Sequence, residues 1–208
     1  MVELSSLGFI EGVIVEVVAS TVDREGRPNA APMGVTVEGG LMVLRPFKTS
    51  RTYRNLTSTM EVVLNVTDDP AIFAITALKL EEPKLIFEEA RTVKPPRIKG
   101  AQAYVEAKVT HLAEDNDRAR VECKPIHVEA NLIYPSAYCR AKPAVIEALI
   151  HATRVKEFTA KGLKNKAETL LELVDYYVNL VKRVAPSSTY TLLAEEIKRK
   201  VEAWYFKA

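Results

Sequence analysis

The chain has 208 residues, a formal net charge of +2, 48% hydrophobic and 27% charged residues. That composition excludes a disordered or collagen-like chain and allows one large domain, or a domain with a smaller companion. The near balance of charge speaks against a general nucleic-acid or membrane-surface binder, which needs a strong basic excess.

In chain order, Gly12 to Ser20 (GVIVEVVAS) is β-branched and apolar on both faces, the pattern of a buried strand. Asp23-Arg24-Glu25-Gly26-Arg27-Pro28 reads as a turn, with Gly26 free to take positive φ. Asn29 to Val37 returns as a second strand, Gly39-Gly40 makes a tight hairpin, and Leu41 to Leu44 is a third strand. Ser50 to Leu56 predicts a short helix and Glu61 to Val66 a further strand. Asp68-Asp69-Pro70 caps a helix reaching about Leu78, with Pro70 in its first turn, where a missing N–H costs nothing. Lys79 to Gly100 is charged, holds Pro83, Pro95 and Pro96, and has little periodicity; it is read as a long excursion or lid.

Two more strands follow. Val105, Ala107 and Val109 share one face of Tyr104 to Leu112. Val121 and Cys123 point inward, then Ile126 and Val128 do, so the parity changes near Pro125 and predicts a bulge or corner there. After Tyr134-Pro135 the pattern is helical. Pro143 opens Ala144 to about Phe158, and Lys164 to Val184 carries a stripe through Val174, Val178 and Val181. A last helix aligns Leu193, Ile197, Val201 and Trp204. The expected architecture is α+β, mainly antiparallel β: a small barrel over 1–135 and a C-terminal helical region over 136–208 packed on it.

Three segments could carry chemistry. Arg45 to Leu56 (RPFKTSRTYRNL) leaves a strand and enters a helix, and concentrates Arg45, Lys48, Arg51 and Arg54 with the hydroxyls of Thr49, Ser50 and Thr52. A helix start offers unsatisfied N–H groups and the positive end of a dipole, so these residues can form a phosphate cradle. The competing reading is a capped helix with solvated cations. Pro28 to Val35 (PNAAPMGV) holds Ala31, Pro32, Met33 and Gly34, small or ladder-breaking residues suited to a flat ligand lying close to the backbone, or else to a bulged edge strand. Asn65, Val66 and Thr67 close an apolar strand, where the polar pair could bond a ring edge or serve as plain strand-end chemistry.

The order of these motifs resembles the FMN-binding split barrel of flavin reductases and pyridoxamine-phosphate-oxidase-like proteins. It is similar above all to an uncharacterised, mainly archaeal family of that superfamily with a helical C-terminal extension, which Asn131 and the stretch Arg140 to Arg154 also resemble. The resemblance implies FMN as cofactor, its phosphate held at Thr49 to Thr52 with Arg45, Lys48 and Arg51 as charge partners. It implies the ring along Ala31 to Gly34 with its polar edge near Asn65 to Thr67, and a homodimer with flavin at the interface. The implied activity is that of a flavin reductase-like oxidoreductase, with a small-molecule substrate that the residues do not define. The alternative is a non-catalytic module for FMN or another phosphorylated flat ligand such as a deazaflavin.

Other constellations point elsewhere only weakly. Cys123 and His127 lie four apart with Pro125 between them, and too few further ligands exist for a zinc site, so no metal is expected. Neither a nucleophile elbow nor a Gly-rich nucleotide loop occurs. Two cysteines allow at most one disulfide, the first residues show no basic leader, and no apolar run reaches the ~20 residues of a membrane span. A reduced, cytoplasmic setting is expected.

Overall fold

A computed structural model describes residues 2–82, 84–131 and 139–206. The proline at 83 and the expected boundary at Tyr134-Pro135 lie outside these residues. The chain divides into two compact units: Met1–Thr67 with Leu85–Tyr134, and Asp68–Lys84 with Pro135–Ala208.

The first unit is a closed antiparallel barrel. Its first strands are β1 (Val15–Val22), β2 (Pro28–Glu38) and β3 (Leu41–Leu44), followed by helix α1 (Arg51–Thr59) and strand β4 (Glu61–Val66). Two short strands, β5 (Phe87–Glu88) and β6 (Arg97–Ile98), pair with each other. The long strands β7 (Ala103–Asp115) and β8 (Arg118–Ala130) complete a barrel of order β1-β2-β3-β8-β7-β4. Local chemistry sets the corners. Asp23 accepts the N–H groups of Glu25 and Arg27 at 3.1 and 2.9 Å, and Gly26 sits at φ +80. Gly39 and Gly40 both take positive φ, as a two-residue hairpin requires.

Alternation then fills the barrel. Val17, Ala19, Val35, Met42, Leu44, Leu64, Val105 and Cys123 are all essentially buried in one core. Pro125 opposes Ala107 and His127 opposes Glu106, which leaves Ile126 as an extra residue. This is the bulge that the parity change near Pro125 predicts. The expectation that Ile126 points inward is corrected: it is the bulged residue itself and is 40% exposed, and Val128 resumes the inward face. The apolar run before Val15 is also corrected. Val13 and Ile14 are exposed, and the strand begins only where β2 offers a ladder.

The 85–101 part of the excursion is no loose lid. It lies on the outer face of β4 and β7, where Ala90, Val93 and Ala101 pack with Val63 and Tyr104. Its anchor is Glu106, whose fully buried side chain accepts from the backbone N–H of Arg91 (2.9 Å) and Thr92 (2.6 Å), the Thr92 hydroxyl, and both Nε and Nη2 of Arg97 (2.9 and 2.7 Å). Burial pushes the Glu106 carboxyl upward, but these bonds outweigh it and hold the group below the ordinary carboxylate range.

The second unit contains α2 (Pro70–Leu78), α3 (Ala141–Ala160), α4 (Lys164–Val184) and α5 (Thr189–Phe206). Asp69 caps α2 by accepting the Ala71 N–H at 2.8 Å, with Pro70 in the first turn as predicted. Helix α2 is apolar around most of its girth and correspondingly buried. Val174, Val178 and Val181 of α4, and Ile197 and Val201 of α5, form the buried stripes. His151 stacks on Tyr177 at 5.8 Å between ring centroids, and burial lowers its pKa. Among the described residues, no helix is long and apolar enough to cross a membrane, and no group of histidine, cysteine and carboxylate residues could hold a metal ion.

Candidate functional site

The barrel wall opens beside β2. The β2–β3 ladder ends at Val35 opposite Leu44. Beyond it, residues 28–34 stay paired with β1, whereas the chain after β3 follows β8. Pro46 accepts the Ala119 N–H at 3.0 Å, Lys48 donates its N–H to Asp117 at 3.0 Å, and Phe47 forms a bridge with Arg118. Among the described residues, no strand pairs with Ala31 to Gly34 on the side away from β1. The result is a gap in the ladder, with β2 on one side and 45–48 on the other. This is why Pro32 is tolerated: β2 is a sheet edge over this stretch.

Helix α1 closes the end of the gap. Ser50 caps it by accepting the Tyr53 N–H at 3.1 Å. The N–H groups of Arg51 and Thr52 have no acceptor within the helix, because the first turn leaves its leading donors unsatisfied. Leu56 and Tyr53 pack into the barrel core. Thr52 is buried and accepts from Asn29 at 3.2 Å, and Asn55 donates to Thr21 at 3.0 Å. These two bonds tie α1 to both strands of the β1–β2 hairpin.

The tip of the β7–β8 hairpin grips the same loop, a role that neighbouring residues in sequence could not reveal. Glu114 accepts from Lys48 Nζ at 3.1 Å and from the Tyr53 hydroxyl at 2.5 Å. Arg118 lies over the Phe47 ring at 3.8 Å and donates to the Arg45 carbonyl at 2.8 Å. The bond to Glu114 raises the Tyr53 pKa, and the Tyr53 and Lys48 bonds lower that of Glu114.

The expected site residues therefore fall into three groups. Arg45, Lys48, Thr49, Ser50, Arg51 and Thr52 lie together at the mouth of the gap. Arg45, Thr49 and Arg51 are exposed, Lys48 is shared with Glu114, and the Thr52 side chain turns inward. Ala31, Pro32, Met33 and Gly34 line its β2 side. Ala31 and Met33 share the inward face with Ala19 and Val17, and Pro32 and Gly34 the outward face with Val18 and Glu16. Asn65, Val66 and Thr67 belong to the other flank of β1, Asn65 standing opposite Val18. The Asn65 amide donates to the Val18 carbonyl at 2.8 Å and the Ser20 hydroxyl at 2.9 Å, and its oxygen accepts the Ile98 N–H at 2.7 Å. Its side chain is fully buried and serves as a pin within the barrel wall.

His127 contacts Glu129 at 3.2 Å, and burial pushes the Cys123 thiol up to about 12, which makes it inert as a nucleophile.

The sequence matches the N-terminal domain of DUF447, a family of proteins of unknown function, over residues 15–131, and its C-terminal part over 139–198. The crystal structure of MM1853, an FMN-bound DUF447 protein from Methanosarcina mazei, is 28% identical. It superposes with a TM-score of 0.76, covering 96% of this chain and 100% of that one. A Shewanella frigidimarina protein assigned as a flavin reductase with a split-barrel domain has a TM-score of 0.50 at 15% identity, covering 62% of this chain and 79% of its own. A Sinorhizobium meliloti protein assigned as an oxidoreductase has a TM-score of 0.51 at 17% identity, covering 68% and 53%. The latter two speak for the fold alone, and that fold is the split barrel expected from the sequence.

Proposed function

Because this chain belongs to the DUF447 family, one member of which is FMN-bound, we propose that it is an FMN-binding flavoprotein acting as a flavin reductase-like oxidoreductase. The observation that carries the reading is the gap beside β2 with the start of α1 at its mouth. Two unsatisfied backbone donors, the Thr49 and Ser50 hydroxyls and the exposed Arg51 guanidinium suit a phosphate there. Arg45 and Lys48 add positive charge. The short side chains of Ala31 and Gly34, with Pro32 and Met33, let a flat ring lie along the β2 edge. Val66 and Thr67 stand on the far flank of β1 from this edge and do not bound the ring there, and Asn65 fixes β1 against β4.

When bound, FMN supplies hydride or electron transfer at its ring, and the protein supplies position and a partly dry setting. The chain's own residues hold the phosphate, orient the ring and keep water from the gap. A homodimer with flavin at the subunit interface fits the exposed Ile10, Val13 and Ile14, the last of which stands beside Gly34. We further assign the barrel region, 1–135, to flavin binding and 136–208 to a C-terminal helical region, in a cytoplasmic protein that acts on a small molecule and not on nucleic acid or membrane.

A second reading, a non-catalytic module for FMN or another phosphorylated flat ligand such as a deazaflavin, has one observation in its favour. Cys123 is buried with its thiol pushed up, so it does not stand ready as an acid or base. Turnover separates the two readings. Flavin-dependent oxidation of NADH or NADPH by the FMN-loaded protein is expected; FMN binding without any turnover favours the second.

A further inference from the structure

A groove of about 650 Å³ lies between the 23–27 turn and α1. Four guanidiniums line it, from Arg24, Arg27, Arg51 and Arg54, against two carboxylates, from Asp23 and Glu25. Arg27 consumes both carboxylates, at 2.7 Å to Asp23 and 3.0 Å to Glu25. Arg24 and Arg51 form no ion pair among the described residues. Arg54 spends one nitrogen on the Thr49 carbonyl at 3.0 Å, which leaves its other donors available. With Arg51 given to the flavin phosphate, Arg24 and the remaining donors of Arg54 are a local surplus with no acceptor among the described residues.

Arg51 and Arg54 stand three apart on α1, on one face, with a rise of about 4.5 Å between them. The groove is larger than a diphosphate and falls within the roughly 300–1,000 Å³ of small-molecule sites. Its lining holds no aromatic residue on which a base could stack. A second depression of about 300 Å³ shares Asp23, Arg24 and Ser58 with it and brings in Lys94.

We propose that this groove is a diphosphate site, one helical turn along from the flavin phosphate, which takes the diphosphate of a nucleoside diphosphate moiety without selecting its base. The placement beside a flavin rests on the function proposed above; the groove itself does not. The same chemistry could reach the groove in two ways: as a free nucleoside diphosphate, or as part of a nicotinamide dinucleotide separate from the flavin.

The test is calorimetric titration of the FMN-loaded protein with ADP, GDP and pyrophosphate, repeated with Arg24→Ala and with Arg24→Ala/Arg54→Ala. ADP and GDP should bind within about threefold of each other, since only the phosphates are read. Binding should weaken at least about tenfold in the double variant and fall with added salt. FMN affinity should stay unchanged in Arg24→Ala, which alone should show part of the loss, and circular dichroism checks the fold of both variants. Absence of ADP binding at millimolar concentration, equal binding by wild type and both variants, or displacement of FMN by ADP would each overturn the proposal. If the protein takes up no FMN, the titrations run on the flavin-free chain. Retained ADP binding that the double variant loses would then uphold the groove while the flavin reading falls. ADP binding that NADH leaves undisturbed identifies the first source; NADH displacing ADP identifies the second.

Discussion

Replacing Glu106 with glutamine tests the anchor of the 85–101 segment. The carboxylate accepts five hydrogen bonds with no exposed surface, and Arg97 is itself only 6% exposed. Glutamine keeps the shape but turns one oxygen into a donor. Placed toward Thr92, that NH2 meets the Thr92 N–H, which is left without a partner; placed toward Arg97, it meets three donors. Breaking a buried pair costs about 3–5 kcal/mol, because a charge is left uncompensated. Here Arg97 keeps Glu129 at 3.2 Å, so the lower end, about 3 kcal/mol, applies. With a urea slope of ~2 kcal/mol/M, the midpoint of barrel unfolding should fall by about 1.5 M. Trypsin should also cut sooner at Arg91, Arg97 and Lys99. The pH dependence has a definite sign. A carboxyl held below its unfolded value stabilises the fold above about pH 4.5, and that contribution is lost as pH falls through the lower folded value. The gap between wild type and variant should therefore close in acid. A midpoint shift below about 0.3 M at neutral pH, or a gap that widens in acid, would refute the reasoning.

Glu114→Ala should free Lys48 and Tyr53 and loosen the phosphate loop, lowering FMN affinity by about threefold to tenfold at little cost to stability, since the pair is exposed. The same variant should return the Tyr53 phenol to its ordinary range, read as an earlier onset of tyrosinate absorbance on raising pH. Gly34→Val adds bulk that must displace Ile14, whose Cγ2 would lie 3.3 Å from the new Cβ. FMN binding should drop at least about tenfold while the melting temperature moves little, because Gly34 has no positive φ. Cys123, buried with its pKa near 12, should resist a thiol reagent until the protein unfolds. At most one thiol, from Cys139, should react in the native state and two in urea.

The sequence is most legible where structure is set locally. β3, β4 and α4 keep the boundaries their patterns predict, and Ser50 and Asp69 cap helices as short polar residues before apolar runs should. The crowd of cations and hydroxyls at 45–54 is likewise visible before any fold is known. What escapes is every arrangement made across the barrel. Glu114 and Arg118 reach the phosphate loop from more than sixty residues away, by pairing that no periodicity encodes. Asn65 and Thr52 look like ligand-binding polar residues, yet both side chains are consumed inside the wall by partners on other strands. The 85–101 stretch looks unstructured because its order comes from partners on other strands, chiefly the buried Glu106 on β7 and also Asn65 and Glu61 on β4. Ile126 shows the same limit at small scale: alternation detects the bulge, but only the β7 ladder decides which residue is extruded.

The central claim is that the start of α1 holds a flavin phosphate, and FMN binding by the wild type and an Arg51→Ala/Ser50→Ala variant tests it most directly. Visible absorbance after desalting and fluorescence quenching on titration give the two affinities. Losing two charge-assisted bonds of roughly 1.5–3 kcal/mol each should weaken FMN by about a hundredfold or more. The wild type should emerge from desalting yellow and the variant colourless. A wild type that neither retains nor quenches FMN, or a variant that binds it equally well, would contradict the account.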